Sequence, residues 1–227
     1  MPYFQNRIPT SNDCIPRPGE VIFADLNQNF KIDSGSDTLD DPGDRRIIGN
    51  THPRFPYSFN LDLGWKGFSL TAFFQGVGKR LWVPTKECPF WGQYCRPYAQ
   101  VYKWQLANRW TEDNKDAFLP IYTSYYAIAW QSKPIDRYMM DVSYIRLKNL
   151  QFGYSIPKKI LDPLKISQLS VYLSAENLWT WSPLYRYTRD FDVVTVCYGS
   201  DSDLSEQGDG YNYPTMRTFS LGVTLIF

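Results

Sequence analysis

The residues whose types and spacing could carry chemistry are few, and the best-placed group lies near the beginning of the chain. In D-L-N-Q-N-F-K-I-D, Asp25, Asn27, Asn29 and Asp33 stand at positions 1, 3, 5 and 9 of a calcium-type loop. Such a loop needs side-chain oxygens to converge on a hard cation. Phe30 replaces the glycine that permits the sharp turn, and Ser36 stands where an EF-hand carries its bidentate glutamate. The spacing therefore predicts Ca2+ at these four residues. The same composition also predicts an Asx-turn loop whose side chains cap their own backbone.

Other reactive residues lack partners. Asp40, Asp41 and Asp44 precede Arg45 and Arg46. As a carboxylate pair for glycoside hydrolysis they would have to be held at a fixed separation on rigid elements. A loop containing Pro42-Gly43 is a poor frame for that, so a solvated, self-paired loop is expected. His52 is the single histidine and has no nucleophile motif beside it. No catalytic residue is expected, and the chain is not read as an enzyme. Of the four cysteines, Cys88 and Cys95 bracket C-P-F-W-G-Q-Y-C, a turn-rich stretch that suits a local disulfide in an oxidising compartment. Zinc is disfavoured, because the chain has no C-x2-C pair and one histidine.

The elements that must position these residues read as strands. Phe55, Tyr57, Phe59, Leu61 and Leu63 alternate with small or polar residues, as do Phe68, Leu70, Ala72 and Phe74. Gly64-Trp65-Lys66-Gly67 between them predicts a tight hairpin. Further strands are expected at Glu20 to Ala24, Ser143 to Ile156, Gln168 to Leu178 and Arg217 to Phe227. The alternation slips between Leu147 and Leu150, which predicts a bulge. The last strand carries Phe219, Leu221, Val223, Leu225 and Phe227 on one side and small polar residues on the other, with Ile226 the exception. Its length, about 11 residues, suffices to cross a hydrocarbon layer as a tilted strand. A short helix is expected within Ala99 to Trp110, with Tyr102, Leu106 and Arg109 on one side.

The connections between these six strands run long, tight, very long, medium and long. In an up-and-down array the long loops 25–53, 78–142 and 179–216 then share one end. Compact soluble domains seldom carry such structureless loops. Outer-membrane barrels do, with aromatic girdles at both interfaces. Aromatic residues make up 17% of the chain. Trp179 and Trp181 are expected in a girdle, and Trp82, Trp91, Trp104, Trp110 and Trp130 in girdle or loop packing, with stacking on sugar rings as the competing use. Net charge is +1, with Lys+Arg 24 against Asp+Glu 23, so nucleic acid is not an expected partner. No run of 18 apolar residues predicts a membrane helix, and no secretory leader pattern opens the sequence. Six strands cannot close a membrane barrel, so further strands are expected beyond this chain.

These segments also carry a resemblance in order from about residue 20 onward. They include D-R-R-I-I-G-N-T-H-P-R-F-P-Y-S-F-N-L, K-G-F-S-L-T-A-F-F-Q-G-V and V-S-Y-I-R-L-K-N-L-Q-F-G-Y-S-I-P, then V-Y-L-S-A-E-N-L-W-T-W-S-P and Y-P-T-M-R-T-F-S-L-G-V. Together they resemble the C-terminal part of SusC/RagA-type TonB-dependent outer-membrane transporters. The resemblance implies an all-β fold for residues 1–227: about six C-terminal strands of a barrel of about 22, antiparallel and up-and-down, with long extracellular loops. It implies that the plug and N-terminal barrel strands lie outside this sequence. It implies a Bacteroidetes-type outer membrane, import of oligosaccharides or peptides, and two protein partners, a SusD-like surface lipoprotein and TonB. The alternative expectation is a soluble, secreted, carbohydrate-binding β-sandwich.

Overall fold

The computed structural model describes residues 16–84, 90–91, 101–122, 133–196 and 215–227. Cys14, Cys88, Cys95, Cys197 and Trp130 fall outside the described residues, and with them the expected disulfide. The chain divides into two compact units, one formed by 1–49 and 84–138, the other by 50–83 and 139–227.

The second unit holds the sheet. Its strands are β1 (Arg54–Trp65), β2 (Phe68–Lys79), β3 (Leu81–Trp82), β4 (Met140–Asp141), β5 (Tyr144–Ser155), β6 (Gln168–Trp181) and β7 (Thr218–Ile226). Five of them form one sheet in the order β1-β2-β5-β6-β7, and β3 pairs with β4 as a separate two-stranded piece. Every pair in the large sheet is antiparallel.

The hairpin forms where the alternation predicts it, but Trp65 belongs to the strand and pairs with Phe68. The loop is thus Lys66-Gly67, both with positive φ (46° and 90°). That is the two-residue turn whose twist matches the flanking strands. At the same end, β5 and β6 are joined by a short helix, α1 (Lys158–Leu161), and one 3-10 turn. All other connections leave the sheet at the opposite end, where Arg54 faces Lys79 and Ile145 faces Trp181.

The slip in β5 is real. Phe73 pairs with Asn149 and Phe74 with Leu147, so Lys148 is the extra residue. A one-residue shift turns every following side chain to the other face. Lys148 thereby keeps Ile145 and Leu147 on the same side as Leu150 and Phe152.

Two expectations are corrected. Glu20 to Ala24 makes no strand; Glu20 instead closes a turn, its N–H donating to Arg17 O and its carboxylate accepting from the Arg17 N–H at 2.8 Å. A five-residue apolar run has too little period to specify strand pairing by itself, so the sheet has five strands rather than six. The expected helix shortens to α2 (Lys103–Ala107), and Leu106 is exposed while Gln105 and Arg109 are buried. Gln105 satisfies both ends of its amide inside, donating to Phe90 O at 2.7 Å and accepting from the Tyr102 N–H at 2.8 Å. A fully paired amide can occupy an interior site that a hydrophobic pattern would assign to leucine.

Candidate membrane-spanning surface

Register carries the alternation of each strand across the whole sheet. Tyr57, Phe59, Leu61 and Leu63 of β1 face Gly76, Phe74, Ala72 and Leu70 of β2. The same face continues through Leu147, Leu150 and Phe152 of β5, then Trp179, Ala175, Leu173 and Val171 of β6. It ends on Phe219, Leu221, Val223 and Leu225 of β7. Carboxylates, amides and cations are absent from this set. The larger side chains at its edges are uncovered, with Phe219 64% and Leu221 75% exposed and Trp65, next along β1, 68%, while Ala72 and Ala175 sit buried between their neighbours. A contiguous apolar surface over five strands is far larger than soluble monomers tolerate.

Aromatic residues gather towards the two ends of the face. Near the Lys66-Gly67 turn lie Trp65, Phe68, Phe152 and Tyr154, with Phe68 ring centroids 4.5 Å from Tyr154 and 5.8 Å from Phe152. The Lys66 ammonium sits 4.8 Å over the Trp65 ring. Towards the loop end lie Tyr57, Phe59, Phe74, Trp179 and Trp181, with Phe59 stacked on Phe74 at 4.5 Å. Aliphatic residues and alanines fill the middle. Phe55 to Trp65 spans about 33 Å of strand, or about 25 Å of height at a tilt near 40°, the height of an apolar band in a membrane barrel. Trp179 and Trp181, expected in a loop segment, are the last residues of this face on an extended β6, at its loop end.

The opposite face is built for water. It carries Ser58, Asn60 and Asp62 from β1, Ser69, Thr71 and Gln75 from β2, Gln151 and Asn149 from β5, Ser170, Ser174 and Glu176 from β6, and Ser220 and Thr224 from β7, with Phe73, Tyr172 and Ile226 as its larger apolar or aromatic members. Thr71 Oγ1 donates to Asp62 Oδ1 at 2.7 Å, and Ser155 and Ser170 hydroxyls are 3.0 Å apart. Ionised Asp62 and Glu176 would be costly in hydrocarbon, so this side must border an aqueous lumen. Gly222 lies under the Tyr172 ring, where a Cβ would come within 2.2 Å of Tyr172 Cζ.

At the loop end of the polar face, Arg146 donates to Thr180 Oγ1 at 2.8 Å and to Asp192 Oδ1 at 2.6 Å. Both members of this ion pair are buried. Asp192 also accepts from the N–H groups of Val194 (3.0 Å) and Thr215 (3.4 Å). Burial works to raise the Asp192 carboxyl, but the bonds from Thr215, Val194 and Arg146 outweigh it and hold it below the ordinary carboxylate value. The clamp fixes segment 183–196, whose Leu184, Phe191, Val193 and Val196 are buried, with Phe191 5.5 Å from Trp82. The sequence gives no signal for it, because its partners are 46 residues apart and share no motif.

The residues singled out for cation binding lie in the other unit and are turned onto their own backbone. Asp25 accepts from the N–H groups of Asn29 (3.3 Å) and Phe30 (2.7 Å), Asn27 from Asn29 (3.1 Å), Asn29 from Lys31 (2.7 Å), and Asp33 from Gly35 (2.8 Å). Asp44 braces the same loop through the N–H groups of Leu26 (2.7 Å) and Asp33 (2.9 Å). Asp41 accepts from Ser36 Oγ at 2.7 Å and from the Ser36 N–H, bonds that lower its carboxyl below the ordinary range. Arg45 pairs with Asp37, and Arg46 reaches Asp136 at 3.4 Å. His52 is exposed, its N–H donating to Asn50 Oδ1.

Comparison with known proteins places this surface. No family model matches the chain. TonB-dependent receptor P3 of Formosa agariphila is 31% identical over 223 residues, covering 92% of this chain and 19% of the receptor. TonB-dependent receptor P26 of the same organism is 25% identical over 201 residues, covering 86% and 19%. The chain thus spans about a fifth of the length of the curated relatives it matches. Among solved structures it is similar to the RagAB peptide importer. The open-open state gives a TM-score of 0.52 at 26% identity, the closed-closed state 0.53 at 27%, each covering 80% of this chain and 18% of the other. These relatives are receptors and importers rather than enzymes. With one apolar and one polar face to its sheet, the chain is a barrel segment of the TonB-dependent receptor type, similar to part of the RagAB importer.

Proposed function

We propose that the protein to which residues 1–227 belong imports oligosaccharides or peptides across the outer membrane, and that this segment is its C-terminal barrel part. The observation that carries the reading is the uninterrupted apolar face from Tyr57 to Leu225 backed by a polar face. β1, β2, β5, β6 and β7 are the wall, and the loops beyond Lys79 and Trp181 are extracellular, because long loops of such barrels lie outside. Substrate would be held between barrel and a SusD-like lipoprotein and released by TonB acting through a plug outside this sequence. RagAB, a peptide importer by name, favours peptides as the first class to try. The soluble sandwich is disfavoured, because among the described residues no second sheet covers the apolar face.

The test is deletion of the full gene in its host, with growth on defined peptides and on defined oligosaccharides as sole source. Loss of growth on one class, restored by the gene in trans, is the expected result. Unchanged growth on every peptide and oligosaccharide tried, or absence of the protein from outer-membrane fractions, would overturn it.

Calcium at Asp25, Asn27, Asn29 and Asp33 is likewise a proposal, supported by four side-chain oxygens on one loop. Binding would require these oxygens to exchange or share their backbone N–H partners. Terbium luminescence on the full transporter, lost in D25N/D33N, is the expected outcome. No luminescence gain at millimolar ion would end the proposal.

A further inference from the structure

We propose that a groove at the loop end of β6 binds the phosphorylated headgroup of an outer-leaflet lipid. The groove, about 480 Å3, is lined by Trp179 and Trp181 together with Tyr185, Arg186, Arg189 and Arg217. Trp179 and Trp181 belong to the apolar face, and Thr180 and Ser182, which also line the groove, alternate with them, so the groove lies at the loop-end rim of the sheet. The three arginines are exposed, and among the described residues none of them makes an ion pair. Among the described residues of the same segment, Asp190 accepts from Thr188 Oγ1 at 2.8 Å and Asp192 is held by Arg146. Arg189 lies over the Tyr185 ring at 5.5 Å, which keeps its guanidinium at the rim. Arg217 directly precedes β7 and is placed by Asn177, whose Nδ2 donates to Met216 O at 3.1 Å.

Three guanidiniums that make no ion pair among the described residues, beside two indoles at the end of β6, suit one kind of ligand. Guanidinium forks match phosphate oxygens in pairs. Indole rings settle where acyl chain meets headgroup. Arginine stems cover apolar surface while their heads stay in the wet layer. A phosphate with acyl chains running down past Trp179 and Ala175 satisfies all three, whereas a transported solute would pass on the other face of the sheet. Phosphate chemistry alone would be shared by a free anion, and the test separates the two.

The inference rests on the membrane-barrel reading above. The full transporter, purified in detergent and stripped of lipid, is titrated with diphosphoryl lipid A and followed by native mass spectrometry. The expected result is a bound lipid whose affinity falls about tenfold or more in R186Q/R189Q/R217Q and is partly restored in R186K/R189K/R217K, since lysine keeps charge but not the fork. The single exchange R186Q, at an exposed position, gives a smaller loss and guards against a folding defect in the triple variant. Unchanged binding in both glutamine variants overturns the inference. So does displacement of the lipid by millimolar inorganic phosphate, which would identify a free-anion site. A variant that stays in the membrane and still imports, but binds lipid normally, sinks only this inference. Failure of the wild-type protein to insert in a bilayer sinks the reading beneath it.

Discussion

Phe90, Trp91 and Tyr138 in the loop-built unit and Trp65, Phe219 and Leu221 on the sheet are drawn from the same classes of side chain, yet their surroundings are opposite. The first three are sealed by protein, with Phe90 and Trp91 fully buried and Trp91 and Tyr138 meeting edge to face at 5.0 Å. Phe118 adds a second edge contact to Tyr138 at 5.5 Å. Each such pair contributes about 0.5–1.5 kcal/mol beyond the area it buries. The sheet residues have no protein over them. Aromatic content by itself therefore says little about where a residue goes. What separates the regions is period: strict alternation exports one face to lipid, while the Pro-broken segments fold their rings inward on one another.

This contrast can be broken from either side. The largest effect is expected in the loop unit, where Trp91→Ala removes a ring with no means of replacement. Large-to-small changes of that kind cost about 3–5 kcal/mol. Limited proteolysis should show the 84–138 region cut faster, with barrel assembly in the membrane unchanged. On the sheet, Leu173→Arg near the middle of β6 should cost about 2–4 kcal/mol in a bilayer, as a cation at barrel mid-depth does. Unfolding in vesicles would show it, and the neighbouring Ser174→Arg, on the polar face, should cost much less. Gly222→Ala tests the polar face itself. The added methyl meets the Tyr172 ring, so a repacking loss of about 1–3 kcal/mol is expected in the same assay.

The smallest effect is a pH dependence. Asp192 is held below its ordinary value of 3.8, so the unfolded form takes up a proton first as pH falls. Its contribution to holding segment 183–196 is therefore complete above about 3.8 and fades as pH drops through the lower folded value. Protease sensitivity of that segment should rise only in this acid window. Asp192→Asn should remove the dependence and leave the loop looser at neutral pH, because Arg146 then lacks its counter-charge.

Much of the sheet could be read in advance because its period is local. The hairpin follows from the alternation of Phe55 to Leu63 and of Phe68 to Phe74 on either side of the turn, and the bulge at Lys148 from the slip between Leu147 and Leu150. Strand ends were less legible: β2 runs on to Lys79 and β6 to Trp181, beyond where alternation weakens. Only pairing with the next strand keeps them extended. Long-range features left no trace in sequence. The β3–β4 contact joins Trp82 to Met140, and the Arg146–Asp192 clamp joins two unrelated segments. In the Asp25–Asp33 loop, ligand spacing and Asx-turn capping use the same residues, so composition could not choose between them.

The claim that one face of this sheet meets lipid and the other meets water is tested most directly along β6. Single cysteines at positions 168–177 of the full transporter in bilayers would be spin-labelled and probed with oxygen and with a water-soluble nickel chelate. The expected result is a two-residue period, with positions 169, 171, 173 and 175 open to oxygen and 170, 172, 174 and 176 open to nickel. Uniform nickel access, or the reverse phase, would contradict the account.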